Sequence, residues 1–555
     1  MQSEDHHRLP EPLTSELLHR AFSLHQQGQM VDAAHLYEQI LAREPSNFDA
    51  LHLLGLTAHQ SGDHERAVDL ISAALSIDRT QPDACTNLGL ALRGLGRYSE
   101  ALAFADAAIA LRPRSSSGHS NRGNILRDMK RLPEALASLD QAVAIDPSDA
   151  VAQCNRGNVL QDLGRLEEAL TGFDRAIALQ PGLVEAHLNR GNALARLHRL
   201  EEGLQCLDGV LEVQPQHATA HSNRGTMLQE LRRLDDAIAA YDRAIEIQPD
   251  LAVAKFNKAL ALLLTGRFEE GWPLYESRVV QGRLSLPQPP WLGGKDIGGR
   301  TVLLHSEQGL GDTLQFCRYA NLVKDKQARV VLRVPASLAG LVATLQGVDA
   351  VVSEFDALPE FDEHCPLPSL PLAFGTRLDS IPGPSPYLFS RPERREFWSR
   401  RLGEKGGPRV GLAWSGTWCA THGYNRSIPL EELLRHLPAG PTYVCLQKDV
   451  RAIDQAALDS SDIRDLRDEI RDFEDTAALC DLMDLVISID TSVAHLAGAL
   501  GRPTWVLLAC VPDWRWLLDR EDCPWYPTAR LYRQPEPGKW SPILEQAAAD
   551  LSRLG

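Results

Sequence analysis

The sequence predicts a helical solenoid followed by a two-lobed α/β region. Three observations carry this. A register of thirty-four residues runs through the first half; a segment rich in Pro and Gly follows it; and beyond that segment short apolar runs alternate with amphipathic stretches. With 555 residues the chain also far exceeds what one hydrophobic core serves. The expected organisation is a tail over residues 1–13, a repeat array over 14–285, a linker over 286–299, and two lobes over 300–392 and 393–555.

The register is set by Asn87, Asn121, Asn155, Asn189, Asn223 and Asn257. In the same register stand Gly55, Gly89, Gly123, Gly157, Gly191 and Gly225, with Ala259 in the last unit, and twelve residues after each glycine another small residue, Ala67, Ala101, Ala135, Ala169, Gly203 or Ala237. Two helices pack backbone to backbone only where side chains are this small. A proline near the end of most units (Pro45, Pro113, Pro147, Pro181, Pro215, Pro249) stops the second helix. Period, small positions and proline together resemble the tetratricopeptide repeat, and counting from Thr14 gives eight units with atypical ends, as expected of a capped solenoid.

That resemblance implies a groove lined by the first helices, holding an extended peptide or a partner's tail. The asparagines have two readings: ties from one repeat to the next, or a ladder of amides that hydrogen-bonds a peptide backbone irrespective of its sequence. The second resembles the asparagine ladder of eukaryotic protein O-GlcNAc transferase and makes the six asparagines candidate acceptor-binding residues. Two charged columns share the register, Arg122, Arg156, Arg190 and Arg224 against Asp106, Asp140, Asp174, Asp208 and Asp242. Matched opposite columns at one period predict a structural ladder between helices.

After the linker, apolar runs at Thr301–Leu304, Arg329–Val334, Ala350–Ser353, Arg409–Trp414, Tyr443–Leu446, Leu485–Ile489 and Thr504–Leu508 alternate with helical stretches. This predicts parallel sheets covered by helices. The prolines between Ile381 and Pro386 divide the strands into two groups, hence two lobes facing a cleft at the strands' carboxyl ends.

Motif screening removes P-loop, zinc-protease and hydrolase-elbow chemistry, since none of those patterns occurs. Gly309-Leu-Gly311 follows a strand, but Leu314 stands where a dinucleotide fingerprint places its third glycine, which disfavours a nicotinamide enzyme. What remains is a strand, a glycine turn and an acid, His305-Ser-Glu307-Gln-Gly309-Leu-Gly311-Asp312, and in the second lobe a strand followed by Asp490-Thr491-Ser492-Val-Ala-His495. The start of the second motif's helix offers free N–H groups and hydroxyls to an anion.

In this order and on two lobes, the motifs resemble the heptosyltransferase-like glycosyltransferases (glycosyltransferase family 9), whose fold is GT-B, two Rossmann-like lobes. The resemblance implies a catalytic carboxylate at Asp312, with His305 and Glu307 in reserve, and a grip on the donor's diphosphate by Asp490, Thr491 and His495. Ser492 departs from the family's glycine. The donor set extends to Gly309, Gly311, Ser415, Thr417, Arg426, Gln447 and Lys448. The donor would be a nucleoside-diphosphate sugar, with no cofactor and no obligatory metal, because N–H groups and cations stabilise the departing diphosphate while the base takes the acceptor's proton. The aromatic cluster Trp514, Trp516, Trp525 and Tyr526 is read first as packing and second as ligand contact.

The favoured function is an inverting nucleotide-sugar glycosyltransferase whose array recruits a protein acceptor. The alternatives are a non-catalytic scaffold with a degenerate transferase region, and a transferase acting on lipopolysaccharide or another glycan. Composition sets the remaining expectations. Acidic residues exceed basic ones on both sides of the linker, for a net charge of −17, which disfavours a nucleic-acid partner. The ten cysteines form no C-x-x-C pair, and no apolar stretch approaches membrane-spanning length, so a cytoplasmic location without zinc is expected.

Overall fold

The computed structural model describes residues 14–278, 284, 286–383, 385–416 and 426–553. The chain divides into two compact units, Met1–Asn223 and Arg224–Gly555.

The first unit is helical. Helices of 13 and 14 residues alternate, from Thr14–Gln26 and Met30–Arg43 through to Val184–Arg196 and Leu200–Val213. Several first helices begin on a polar N-cap: the side chains of Asn47, Ser115 and Asp149 accept the N–H three residues on at 3.0, 3.1 and 2.9 Å. Second helices begin on Arg97, Arg131, Arg165 and Arg199, each bonded in a bidentate fashion to a Glu three residues on. The turn within each repeat needs a left-handed residue. Glycine supplies it at Gly62, Gly96 and Gly164, while Lys130 and His198 adopt φ of 60° and 58°.

The small columns are where the helices cross. A Cβ on Gly123 would lie 2.6 Å from Leu139, and one on Gly157 would lie 2.6 Å from the Phe173 ring. Replacing Gly157 by Val is therefore expected to lower the stability of the array by ~1–3 kcal/mol through overpacking. All ten tryptophans lie after residue 271, so this loss is read by far-UV circular dichroism and not by tryptophan fluorescence. An unchanged helical transition would contradict the crossing. The charge columns meet as expected: Arg122–Asp106, Arg156–Asp140 and Arg190–Asp174 are each 2.6 Å apart, with the aspartates about half exposed, so each pair contributes ~0–1 kcal/mol.

The second unit opens with the helices Leu234–Ile247, Ala252–Leu264 and Phe268–Tyr275. Residues 286–299, linker-like by composition, pack onto the first sheet: Trp291 and Ile297 are buried, and the Trp291 N–H donates to the His364 carbonyl at 2.7 Å. Among the described residues nine strands follow: β1 Thr301–His305, β2 Arg329–Val334, β3 Ala350–Ser353, β4 Glu363–Pro366, β5 Arg409–Ala413, β6 Thr442–Cys445, β7 Leu485–Ile489, β8 Thr504–Leu508 and β9 Ala529–Arg533. They form two sheets, in the orders β3-β2-β1-β4 and β6-β5-β7-β8-β9, with every pairing parallel.

Seven of these strands coincide with the apolar runs of the sequence; β4 and β9 do not. β4 reads Glu-His-Cys-Pro yet is buried along its length, because Glu363 bonds Lys295 and Arg300 while His364 bonds His305. β9 carries Arg530 and Arg533, whose charges go to Asp550 and to the carbonyls of Trp516, Leu517 and Arg520. A long-range partner for each charge makes a polar segment buriable.

The aromatic cluster is packing, as first expected. Trp514, Trp516, Trp525 and Tyr526 are all buried, and Trp514 meets Phe268, Trp272, Tyr275 and Phe316 with ring centroids 5.2–6.4 Å apart. The last helices of the array and the two sheets thus share one core within this unit.

Candidate functional site

In a parallel sheet, ligands bind beyond the carboxyl ends of the strands, where the strand order reverses direction. In the second sheet that point lies between β5 and β7, which are hydrogen-bonded neighbours. The chain leaves β5 through Trp414, Ser415 and Gly416, and leaves β7 through Asp490 and Thr491 into the helix Ser492–Ala499. The topology therefore brings the Asp490–His495 motif beside the loop that carries Ser415, another residue of the expected donor set.

Thr491 is the N-cap, but its side chain does not cap the helix; its hydroxyl lies 3.0 Å from that of Ser488. The Thr491 side chain thus leaves the first N–H groups uncapped, and Ser492 stands at the first helical position. Gly416 lies close to both Thr491 and Arg426. A Cβ there would lie 3.4 Å from the Thr491 methyl and 3.6 Å from Nε and Nη2 of Arg426. Arg426 is therefore beside the loop, and its charge also acts on Asp490.

Burial pushes the Asp490 carboxyl up, but the neighbouring His495 and the charges of Arg426 and Arg515 prevail and hold it below the usual carboxylate range. Its Oδ1 lies 3.7 Å from His495 Nε2. Asp490 thus stays ionised at neutral pH, and this contribution to stability is lost only as the pH falls through its lowered folded-state value.

Other donor-set residues sit differently. The Gln447 amide is fully engaged: Oε1 accepts the N–H of Trp414 at 2.9 Å and of Ser415 at 3.1 Å, while Nε2 donates to Ser415 Oγ at 2.9 Å and to the Asp449 carbonyl at 2.8 Å. Gln447 and Ser415 therefore shape the loop after β5. Lys448 is exposed and donates to the carbonyls of Arg467, at 3.2 Å, and Ile470. Thr417 lies outside the described residues.

In the first sheet the order reverses between β1 and β4. His305 ends β1, buried, with Nε2 3.3 Å from His364 Nδ1 on β4. Glu307 accepts from Arg278 Nε at 2.8 Å and Nη2 at 2.5 Å, both side chains being 1% exposed. Asp312 stands third in the helix Leu310–Phe316, where Oδ2 accepts the Gly309 N–H at 2.7 Å and Oδ1 pairs with Arg515. All three carboxylate or imidazole candidates thus have partners. Gly311 faces the second motif directly, since a Cβ on it would lie 2.7 Å from His495 Cδ2.

Arg515, Arg278, His364 and Tyr526 were not legible as members of these constellations, because each lies far in sequence from its partner. A cavity of about 600 Å³ lies elsewhere in this unit, lined by Arg267, Glu270, Arg377 and Arg520 among others. Among the described residues no three His, Cys, Asp or Glu side chains converge into a metal site, and no helix is long and apolar enough to cross a membrane.

The array asparagines do connect repeats. Nδ2 of Asn87 lies 2.9 Å from His52 Nε2; Asn155 donates to Ser120 Oγ at 3.1 Å, Asn189 to Asn158 Oδ1 at 2.8 Å and Asn223 to Asn192 Oδ1 at 3.2 Å. In the second unit, Asn257 donates to Thr226 Oγ1 at 3.3 Å. Asn121 is half-buried in the same register. A second amide column, Asn124, Asn158 and Asn192, runs three residues after the first and supplies two of these acceptors. The Asn amide has two N–H groups and an oxygen, so these lateral bonds leave hydrogen-bonding capacity along the face.

Tetratricopeptide-repeat models match residues 23–84 and 188–252, 58–125, and 123–164 and 157–198. Protein FlbA of Caulobacter vibrioides is 28% identical over 330 residues, covering 52% of this chain and 53% of its own. The chain thus spans about half the length of that curated relative. Among solved structures, YrrB, described as a TPR protein with an unusual peptide-binding site, is 26% identical, covering 35% of this chain and all of its own with a TM-score of 0.29. A tetratricopeptide repeat protein of Parabacteroides merdae is 17% identical, covering 45% of this chain and 98% of its own with a TM-score of 0.39. The N-terminal part of this protein is a tetratricopeptide-repeat solenoid, and its C-terminal part is an α/β region of two parallel sheets.

Proposed function

We propose that the α/β region is a nucleotide-sugar glycosyltransferase of GT-B type, similar to the heptosyltransferases, and that the repeat array recruits its protein acceptor. The observation that carries this reading is the helix Ser492–Ala499, which opens without a side-chain cap at the β5/β7 switch point beside Arg426 and Gly416. N–H groups, a hydroxyl and a guanidinium converging at a strand end suit a diphosphate. In the reaction, the acceptor oxygen attacks the anomeric carbon, the bond from that carbon to the diphosphate breaks, and the acceptor's proton passes to a base. The departing diphosphate takes the electron pair and is stabilised by Arg426 and the helix start. Asp312 is the candidate base, and acts only once it is released from Arg515.

The test is calorimetric titration of the full chain with UDP, GDP and ADP. Arg426→Ala is expected to weaken binding of the preferred nucleotide at least ~10-fold, as for loss of a charge-assisted contact. If none of the three binds at millimolar concentration, the reading fails. A second reading, a non-catalytic scaffold, is favoured by the partnered state of His305, Glu307 and Asp312. It is separated by donor turnover: equal turnover in the wild type and Asp312→Ala removes Asp312 as base, and no turnover despite nucleotide binding favours the scaffold.

A further inference from the structure

This inference rests on the nucleoside-diphosphate reading and deepens it. We propose that His495 is a positioning residue for the diphosphate site, acting through Asp490 without touching the ligand, and that Gly311 on the other lobe makes room for it.

The ring of His495 is closely surrounded. Its side chain is 6% exposed. One face stacks on Trp516, with centroids 5.4 Å apart at 26°. Gly311 lies against the imidazole too, where a Cβ would lie only 2.7 Å from Cδ2. Nδ1 is 2.9 Å from the Tyr526 hydroxyl, and Nε2 faces Asp490 Oδ1 at 3.7 Å. A diphosphate would reach Nδ1 only by displacing the buried Tyr526 hydroxyl, and Nε2 only past the carboxylate of Asp490, which is 17% exposed.

What the ring does control is Asp490. Asp490 is the last residue before the N-cap of the helix whose N–H groups form the site, and it lies in the field of Arg426. Holding this carboxylate fixes the entry of the chain into the helix and balances Arg426. The environment of His495 is itself anchored to the first lobe: Arg318 lies 4.9 Å from the centre of the Tyr526 ring and donates to the Tyr387 hydroxyl at 2.9 Å and to the Trp525 carbonyl at 2.8 Å. The glycine and histidine that the sequence places in separate motifs are thus two sides of one contact.

Two cycles on the full chain test this. In the absence of ligand, thermal unfolding is followed by tryptophan fluorescence, which reports only residues after 271. Gly311→Ala is expected to lower the midpoint, and to do so by less than half as much in a His495→Ala background, where the new methyl group has space. With whichever of UDP, GDP and ADP binds, His495→Ala is expected to weaken affinity about tenfold when Asp490 is present, and less than about twofold in an Asp490→Asn background, because contacting residues are strongly coupled. Tyr526→Phe removes one partner of the ring and is expected to weaken binding by ~2–5-fold, a milder change if His495→Ala perturbs folding. Equal loss in both Asp490 backgrounds makes His495 a direct ligand and overturns the proposal. An undiminished Gly311→Ala penalty without His495 also overturns it. A wild type that binds none of the nucleotides overturns the diphosphate reading and this role with it, whereas additive losses in a protein that does bind overturn the role alone.

Discussion

Replacing Arg278 by Met is expected to destabilise the second unit by ~3–5 kcal/mol, the cost of leaving a buried carboxylate without its cation. Besides the two bonds to Glu307, its guanidinium reaches Glu276 at 2.6 Å, the Ser369 hydroxyl at 2.6 Å and the Tyr275 carbonyl at 3.3 Å. Burial opposes its charge, yet Glu276 and Glu307 hold its pKa above the ordinary arginine value. A group raised in the fold stabilises below its unfolded pKa, so this contribution is constant across the working pH range. Arg278→Met loses it at every such pH. Adding Glu307→Leu is expected to recover more than half of the loss, because an apolar pair of similar volume needs no solvation. Guanidinium denaturation followed by tryptophan fluorescence reads both. A single variant within 1 kcal/mol of wild type would contradict the buried network.

Arg515→Met is expected to cost about as much, ~3–5 kcal/mol, and far more than Asp312→Asn. Arg515 is buried and bonds Gln315, Asp312 and, at 2.8 Å, Asp513, while stacking 4.4 Å from the centre of Trp514. Burial works against its charge, but Asp513 and Asp312 raise its pKa well above the ordinary value. Removing it leaves the carboxylates of Asp312 and Asp513, 21% and 35% exposed, without their cation. Asp312→Asn, by contrast, leaves Arg515 its bond to Asp513 and costs ~1–2 kcal/mol, the scale of one charge-assisted hydrogen bond. The same two variants divide structure from chemistry: if Asp312 is the base, Asp312→Asn removes transfer while the fold holds. Equal destabilisation by the two substitutions would show that the ion pair with Asp312 is all that Arg515 provides.

The position of the site was legible, and its wiring was not. Both motif loops could be read because a strand followed by a turn and a helix is a local pattern, and the strand order then sets them at switch points. The roles inside the loops depended on partners that no spacing announces. Glu307 is paired with a residue 29 positions earlier and Asp312 with one 203 positions later, which turns two free-looking acids into members of ion pairs. Gln447 looked available for a ligand, yet the loop after β5 and the Asp449 carbonyl together engage every arm of its amide.

By itself, the sequence determined what is periodic or local. The thirty-four-residue register dictates where helices cross, since only a small side chain permits the approach, and apolar runs of strand length dictate seven of the nine strands. Tertiary structure alone decided which polar residues are buried and what answers them: Glu363 and His364 in β4, Arg278 with Glu307, and His495 between Gly311 and Trp516. The physical reason is one of range. Backbone geometry repeats every few residues and marks the sequence at that period, whereas a buried charge or ring is satisfied by whatever the fold brings within a few ångströms, at any distance along the chain.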